Sequence, residues 1–163
     1  MRAKAEVHGA ITVLNALSNN QGAAIGIDLK TIADVELTEK QNTINVIIKN
    51  SKKEDRKLAI ESVKTVFKEY NIKKYGANVI IDSNIPIGKG LKSSSAAANA
   101  IILATTKALR KKIIEKNILK LSVEAARKAG VTITGALDDA SASYLGGFVL
   151  TDNKKDIILK HKK

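Results

Sequence analysis

A helix built from unusually small side chains constrains the fold more than any other segment. Residues 93–109 contain no glycine or proline and carry alanine at positions 96, 97, 98, 100 and 104. Because these alanines fall on several faces of the predicted helix, neighbouring backbone can approach it from more than one side. The sequence therefore predicts a buried helix with close neighbours.

Period-two alternation, short apolar runs and turn residues predict the strands around this helix. The predicted strands cover residues 10–17, 23–29, 31–37, 44–48, 76–82, 148–151 and 157–159. The predicted helices cover residues 54–71, 93–109, 117–129 and 135–144, and Gly130 is a plausible stop for the third. Strands first, then helices interleaved with returning strands, indicate an α+β domain with helices against one face of a sheet.

Charge and composition narrow the classes of function. The chain has 163 residues, a formal net charge of +12 and no cysteine, which excludes disulfides and cysteine-based zinc sites and fits a reducing cytosol. Basic surfaces serve nucleic acids, anionic membranes or phosphorylated small molecules. No aromatic residue is interleaved with the basic runs, and no apolar stretch reaches the roughly 18 residues of a membrane span. We therefore expect a cytoplasmic protein without a nucleic-acid or membrane partner.

The loop at residues 83–92 is the strongest candidate for a ligand site. It lies between a predicted strand and the alanine-rich helix and contains two glycines and two lysines, Lys89 and Lys92. Ser93 is a natural N-cap, and the free amides of the helix start favour an anion. The alternative is an ordinary turn before a capped helix. The Walker A pattern is absent, so phosphate binding would need another route.

Two adjacent carboxylates, Asp138 and Asp139, are conspicuous in this basic chain. One of them could act as a general base towards an alcohol, or the pair could bind a divalent cation. The alternative is an acidic first turn that the helix dipole favours.

The loop carries a resemblance to a known family. Its pattern Pro-x3-Gly-Leu-x-Ser-Ser-x-Ala matches at Pro86, Gly90, Leu91, Ser93, Ser94 and Ala96. This pattern resembles the second signature of the GHMP superfamily, which comprises galactokinases, homoserine kinases, mevalonate kinases and phosphomevalonate kinases. The version Gly-Leu-Lys-Ser-Ser-Ser-Ala and the N-terminal segment at residues 6–16 look like the archaeal shikimate kinases. Many superfamily members have glycine where this chain has Lys92.

The resemblance implies a fold and an activity. The implied fold is the GHMP-kinase N-terminal domain, of the ribosomal protein S5 domain 2-like type, with a mixed β-sheet and helices on one face. Residues 1–163 would form this ATP-binding domain, and the C-terminal domain of the family is expected to be absent from the chain. The implied reaction is ATP-dependent phosphorylation of the 3-hydroxyl of shikimate, a step towards chorismate and the aromatic amino acids.

The resemblance also implies roles for particular residues. The triphosphate of ATP would be bound by Pro86, Gly88, Lys89, Gly90, Leu91, Lys92, Ser93, Ser94, Ser95 and Ala96. Asp139 would orient and deprotonate the substrate hydroxyl, whereas counting forward from Gly135 selects Asp138 instead. Substrate contacts are expected from His8, Thr12 and Asn15, although His8 could equally be structural. Mg²⁺ would be held by Ser93 and by Glu124, unless Glu124 is only a surface residue.

Three other functions stay open from the sequence. Another kinase of the superfamily, acting on homoserine or on an isoprenoid precursor such as mevalonate, would carry the same nucleotide loop. A non-catalytic nucleotide-binding domain would bind ATP without turnover. A nucleic-acid-binding module would bind generic DNA in a salt-dependent manner and would not bind ATP.

Overall fold

A computed structural model of the protein describes residues 1–17, 19–49, 55–132 and 136–163. The predicted helix start at residue 54 and the residues Thr134 and Gly135 of the acidic segment lie outside the described residues. The elements in chain order are β1 (Arg2–Leu14), β2 (Gln21–Thr38), β3 (Ile44–Ile48), α1 (Lys57–Glu69), β4 (Gly76–Ser83), α2 (Ser93–Ala108), α3 (Glu115–Ala129), α4 (Leu137–Leu145), β5 (Phe148–Asp152) and β6 (Ile157–Lys162). This order confirms the predicted α+β class.

The long strand β2 organises the sheet. One of its edges pairs with β1, and its other edge pairs with β5 over residues 21–25 and with β4 over residues 31–38. The strand order is β3-β4-β2-β5-β6, with β1 on β2, and only the β3–β4 pair is parallel. The sheet is therefore mixed, as predicted.

Two of the predicted strands are in fact one. The runs at residues 23–29 and 31–37 belong to the single strand β2, and the run at 10–17 extends past the end of β1 at Leu14. Lys30 alone separates the two runs. It pairs with His8, next to a register shift after which Gly9 pairs with Ile27. Pairing with β1 thus keeps β2 continuous across this irregularity.

The alanine-rich helix α2 is buried, as the sequence predicts. It contacts β1, β2, α1, α3 and α4, and Ile101 and Ile102 are fully buried on it. Small side chains at Ala96, Ala100 and Ala104 are also fully buried, which lets the neighbouring elements approach closely. The third helix, α3, ends at Gly130 in a left-handed conformation, as expected. Among the described helices, none has both the length and the apolar character needed to cross a bilayer.

The short helix α4 packs directly against the backbone of β2. A Cβ added at Gly26 would lie 2.8 Å from the carbonyl oxygen of Ala142 and 2.9 Å from the Cα of Gly146. Both contacts are with backbone atoms, which cannot rotate away. Glycine at position 26 therefore sets how closely α4 can approach the sheet.

We expect the substitution Gly26→Ala to destabilise the protein by about 3 kcal/mol or more, because an added methyl group must displace the α4 backbone. Chemical denaturation measures this change in the free energy of unfolding. The neighbouring Ile25→Ala substitution is the control, since Ile25 is exposed and should cost less than about 1 kcal/mol. Equal effects of the two substitutions would contradict this explanation of the packing.

Candidate active site

The glycine-containing loop between β4 and α2 is docked on the outer edge of β1. The Ala10 N–H donates a hydrogen bond of 3.3 Å to the Leu91 carbonyl. Within the loop, Gly88, Gly90 and Lys92 have positive φ angles of 68°, 75° and 58°, and they alternate with residues of negative φ. Alternation of this kind points successive amides towards one side, which is a common anion-binding arrangement.

The first amides of α2 continue this arrangement, although the predicted cap is wrong. The N-cap is Lys92, in a left-handed conformation and without a side-chain capping bond, and Ser93 is already helical. The chain leaves the loop through a left-handed residue, so the helix begins one residue earlier than it would with Ser93 as the N-cap. The first helical bond joins the Ala96 N–H to the Lys92 carbonyl at 3.1 Å, so the preceding amides face the loop.

The side chain of Asp139 lies beside this helix start. Its Oδ2 is 3.0 Å from the Lys92 Nζ, and the exposed fractions of the two side chains are only 11% and 26%. Its Oδ1 accepts a hydrogen bond of 3.4 Å from the hydroxyl of Thr12 on β1. The structure therefore brings together three of the residues singled out in the sequence, one from each of three separated segments.

Burial makes Asp139 a weaker acid than usual. Desolvation, followed by repulsion from the adjacent Asp138, raises the pKa of Asp139 to about 6, and Lys92 and Thr12 oppose this rise. A carboxylate with such a pKa is ionised at neutral pH and accepts protons more readily than an exposed aspartate. This chemistry suits a general base.

Asp138 is held by contacts with Asn153 and with β2. Its Oδ1 accepts a hydrogen bond of 2.9 Å from Asn153 Nδ2, and the residue is 4% exposed. It packs against β2 at Gly22, where an added Cβ would lie 2.5 Å from its Cγ. The two adjacent carboxylates thus have different environments, and Asp139 is the one that contacts Lys92 of the loop between β4 and α2.

Two polar residues that sequence reasoning missed hold α4 in place. Asn99 of α2 donates a hydrogen bond of 2.8 Å to the Ala140 carbonyl, one residue after Asp139. The Ser143 hydroxyl donates to the backbone carbonyl of His8. An asparagine within an otherwise apolar and alanine-rich stretch was the available signal for the first contact. Both bonds hold α4, which carries Asp139, against α2 and β1.

The side chains of His8, Asn15 and Glu124 have other partners among the described residues. The ring of His8 is 3.7 Å from Asp28, and the Asn15 side chain accepts from the Leu17 amide in an exposed turn. Glu124 forms an i,i+4 ion pair of 2.7 Å with Lys128. Within those ranges, no group of three or more acidic or histidine side chains could hold a metal by itself.

A cavity of about 270 Å³ opens next to the start of α2. The polar groups in its wall include Thr31, Ser83, Ser93 and Ser94, and the apolar ones include Ile81, Ile85 and Ala97. Its size and mixed lining suit part of a small molecule whose anionic group lies on the helix start.

Solved structures identify the class of fold. Mevalonate kinase from Methanococcus jannaschii superposes with a TM-score of 0.82 at 19% identity, covering 100% of this chain and 56% of that protein. Homoserine kinase from Cytophaga hutchinsonii gives a TM-score of 0.79 at 19% identity, covering 98% and 51%. The fold is therefore that of GHMP kinases.

The sequence itself matches the family. The model of the GHMP kinases N terminal domain matches residues 57–147, more than half of the chain, and the chain belongs to this family. Shikimate kinase from Pyrococcus abyssi is 46% identical over 99% of this chain and 60% of that protein. Shikimate kinase from Methanosarcina mazei is 46% identical over 95% and 53%. The chain thus spans between half and two thirds of the length of these relatives.

We expect the Asp139→Asn substitution to stabilise the protein by about 1–2 kcal/mol at neutral pH. Raising the pKa from 3.8 to about 6 means that ionised Asp139 costs roughly 3 kcal/mol of stability, at about 1.4 kcal/mol per unit. The Lys92 ammonium, left without its partner, offsets part of the gain. The cost is complete above pH 6 and disappears as pH falls towards 3.8, so the advantage of the variant should disappear over the same range.

Thermal unfolding at several pH values measures this prediction. The matched control is Asp138→Asn, which replaces a charged acceptor for Asn153 by a weaker neutral one and should lower stability. A destabilised Asp139→Asn variant at neutral pH, or a stabilised Asp138→Asn variant, would show that the two environments have been assigned wrongly.

Proposed function

We propose that the protein is a shikimate kinase, which transfers the γ-phosphoryl group of ATP to the 3-hydroxyl of shikimate. The observation that carries the proposal is the contact of 3.0 Å between Lys92 of the phosphate-binding loop and the buried carboxylate of Asp139. This contact puts an anion-binding helix start and a base of raised pKa within one site. Phosphoryl transfer requires these two components side by side.

The triphosphate would lie on the loop and on the start of α2. The amides of Ser93, Ser94 and Ser95, the positive end of the helix dipole and the exposed Lys89 are the groups that support this assignment. The cavity of about 270 Å³ beside Ser93 and Ser94 would take the nucleoside part of ATP. Alternating left-handed residues in the loop leave room for phosphate oxygens, since nothing lies within 4 Å of a Cβ added at Gly88 or Gly90.

The residues also fit Mg²⁺ bound together with ATP. Mg²⁺ keeps several waters and is usually held by one or two protein oxygens plus substrate phosphates, so a complete protein cage is not required. The Ser93 hydroxyl at the helix start is the protein ligand that we favour. Glu124 is a weaker candidate because it is paired with Lys128. Bound there, the ion would neutralise charge on the β- and γ-phosphates.

The transfer would form one bond, break another and move one proton to a residue of this chain. The oxygen of the acceptor hydroxyl forms a bond to the γ-phosphorus, and the bond from that phosphorus to the β,γ-bridging oxygen breaks to release ADP. The proton of the hydroxyl passes to the Asp139 carboxylate, which the Thr12 hydroxyl and Lys92 orient. The helix-start amides and Lys89 stabilise charge on the transferred group.

We propose that residues 1–163 form the ATP-binding domain and that a C-terminal domain completes the acceptor pocket. Support comes from the relatives, of which the chain spans 60% or less. Further support comes from β1, where Ile11 and Val13 are exposed on the face opposite Thr12. A contiguous apolar surface of this kind is suited to contact with another domain. We also propose a cytoplasmic location, which the absence of cysteine supports.

The choice of shikimate over other acceptors is tested with a panel. In a coupled assay for ADP, the full-length protein, including the proposed C-terminal domain, is given ATP and Mg²⁺ with shikimate, homoserine or mevalonate as the varied acceptor. We expect turnover that depends on shikimate and exceeds that with the other two alcohols by at least about 100-fold, which one or two specific hydrogen bonds can provide. If only mevalonate or homoserine supports turnover, the assignment of shikimate as substrate is wrong. ATP binding without turnover on any of the three acceptors would favour a non-catalytic domain.

Asp139 should be required for transfer and not for nucleotide binding. We expect Asp139→Asn to lower kcat by about 100-fold or more, because general-base catalysis contributes about 10²–10⁴. The affinity for ATP, measured by calorimetry, should change little. In the unsubstituted enzyme, kcat should fall as pH drops through about 6, where Asp139 becomes protonated. If Asp138→Asn has these effects instead, the base is Asp138.

A further inference from the structure

Lys92 adopts a backbone conformation that costs free energy for any residue with a side chain. Its φ and ψ are 58° and 38°, in the left-handed region, and its side chain makes no capping bond to α2. Glycine would form the same turn without this cost, as it does at Gly88 and Gly90 in the same loop. A left-handed backbone at a non-glycine residue is a reason to ask what its side chain contacts.

The Lys92 side chain points towards Asp139. The Lys92 ammonium lies 3.0 Å from Asp139 Oδ2, and three quarters of its side-chain surface is covered. The other groups that face Asp139 are the Thr12 hydroxyl from β1 and the Asp138 carboxylate from its own helix. Lys92 is therefore the only cation of the described residues that contacts this carboxylate.

The second lysine of the loop behaves differently. Lys89 lies three residues earlier, is exposed, and forms no ion pair with any described residue. Its ammonium is available to an anion that binds at the loop. Lys92, by contrast, already has a carboxylate partner. The two lysines carry the same charge into one loop but are placed for different contacts.

We infer that Lys92 is a positioning residue for Asp139 and that the left-handed backbone at this position is retained in order to place its ammonium on that carboxylate. The inference rests on the proposed function, since it gives the base of the transfer its orienting partner. It also separates the two lysines: Lys89 contacts phosphate, and Lys92 supports the base.

The electrostatic consequence has a definite sign. Burial and Asp138 raise the pKa of Asp139, and Lys92 lowers it. Removing the ammonium must therefore raise the pKa of Asp139 beyond about 6. The acidic limb of the pH–rate profile should then move to higher pH. A lysine that only binds phosphate, or only shapes the loop, would leave that limb in place.

The test compares the substitutions Lys92→Gly and Lys89→Gly, which remove the same charge from the same loop. The first measurement is the pKa of Asp139, from the pH dependence of its carboxyl carbon signal in NMR spectra of the folded protein. We expect Lys92→Gly to raise this pKa by about one unit or more, and Lys89→Gly to change it much less. An unchanged pKa in the Lys92→Gly protein overturns the inference, and this readout does not depend on enzymatic turnover.

Thermal unfolding tests the backbone argument separately. Well below pH 6, where Asp139 is protonated, Lys92→Gly should melt at a higher temperature than the unsubstituted protein because only the strain has been removed. Above pH 7 this gain should shrink, since the buried carboxylate has lost its partner. The control is Arg110→Gly, which relieves a left-handed residue with φ of 54° just beyond the other end of α2 and should raise the melting temperature at both pH values. A Lys92→Gly protein that is less stable at low pH contradicts the strain argument.

Steady-state kinetics test whether the contact between Lys92 and Asp139 contributes to phosphoryl transfer. With ATP, Mg²⁺ and shikimate, we expect Lys92→Gly to lower kcat by about tenfold or more with little change in the KM for ATP. Lys89→Gly should mainly raise the KM for ATP. A rise in the KM for ATP alone in the Lys92→Gly enzyme would make Lys92 a phosphate ligand and overturn the inference. Absence of turnover in the unsubstituted enzyme would contradict the proposed function, while the NMR titration would still decide whether Lys92 supports Asp139.

Discussion

The direct contact between α4 and the backbone of two strands is the constraint on which the rest of the structure depends. The contact is possible because Ala10, Ala24 and Ala142 are small and fully buried and because position 26 has no side chain. A helix held this close to a sheet keeps its own side chains out of water. Asp139 is therefore buried because of where its helix lies, and its unusual acidity follows from packing before any charged neighbour is considered.

The first turns of two helices lie at the site, and their positive partial charges offset part of the cost of burying the Asp139 carboxylate. The N-terminal turn of α4 carries Asp139, and the N-terminal turn of α2 carries Lys92, so the positive ends of both helices face the same volume. An anion that binds in this volume is attracted by free backbone amides and by lysine. The Asp139 carboxylate is already partly neutralised by Lys92. The arrangement suits an anion bound beside the buried carboxylate, which the proposed phosphoryl transfer to an alcohol would need.

The sequence predicts most of the fold and the location of the site, and it misses what depends on distant contacts. The strands at residues 44–48 and 76–82, the buried α2 and the stop at Gly130 follow from local periodicity and composition. The continuity of β2 does not, because it depends on pairing with β1 across a register shift. Local sequence also cannot separate Asp138 from Asp139, since both lie in one helical turn. What separates them is contact with Asn153 on one side and with Thr12 and Lys92 on the other.

The left-handed backbone at Lys92 also limits how this position can change during evolution. Glycine and asparagine are the residues that fit such a conformation at low cost, and both are uncharged. Asparagine is one base change away from lysine in the genetic code. A more stable fold and a charged partner for the carboxylate are therefore opposing requirements at this position, and lysine meets the second at the expense of the first.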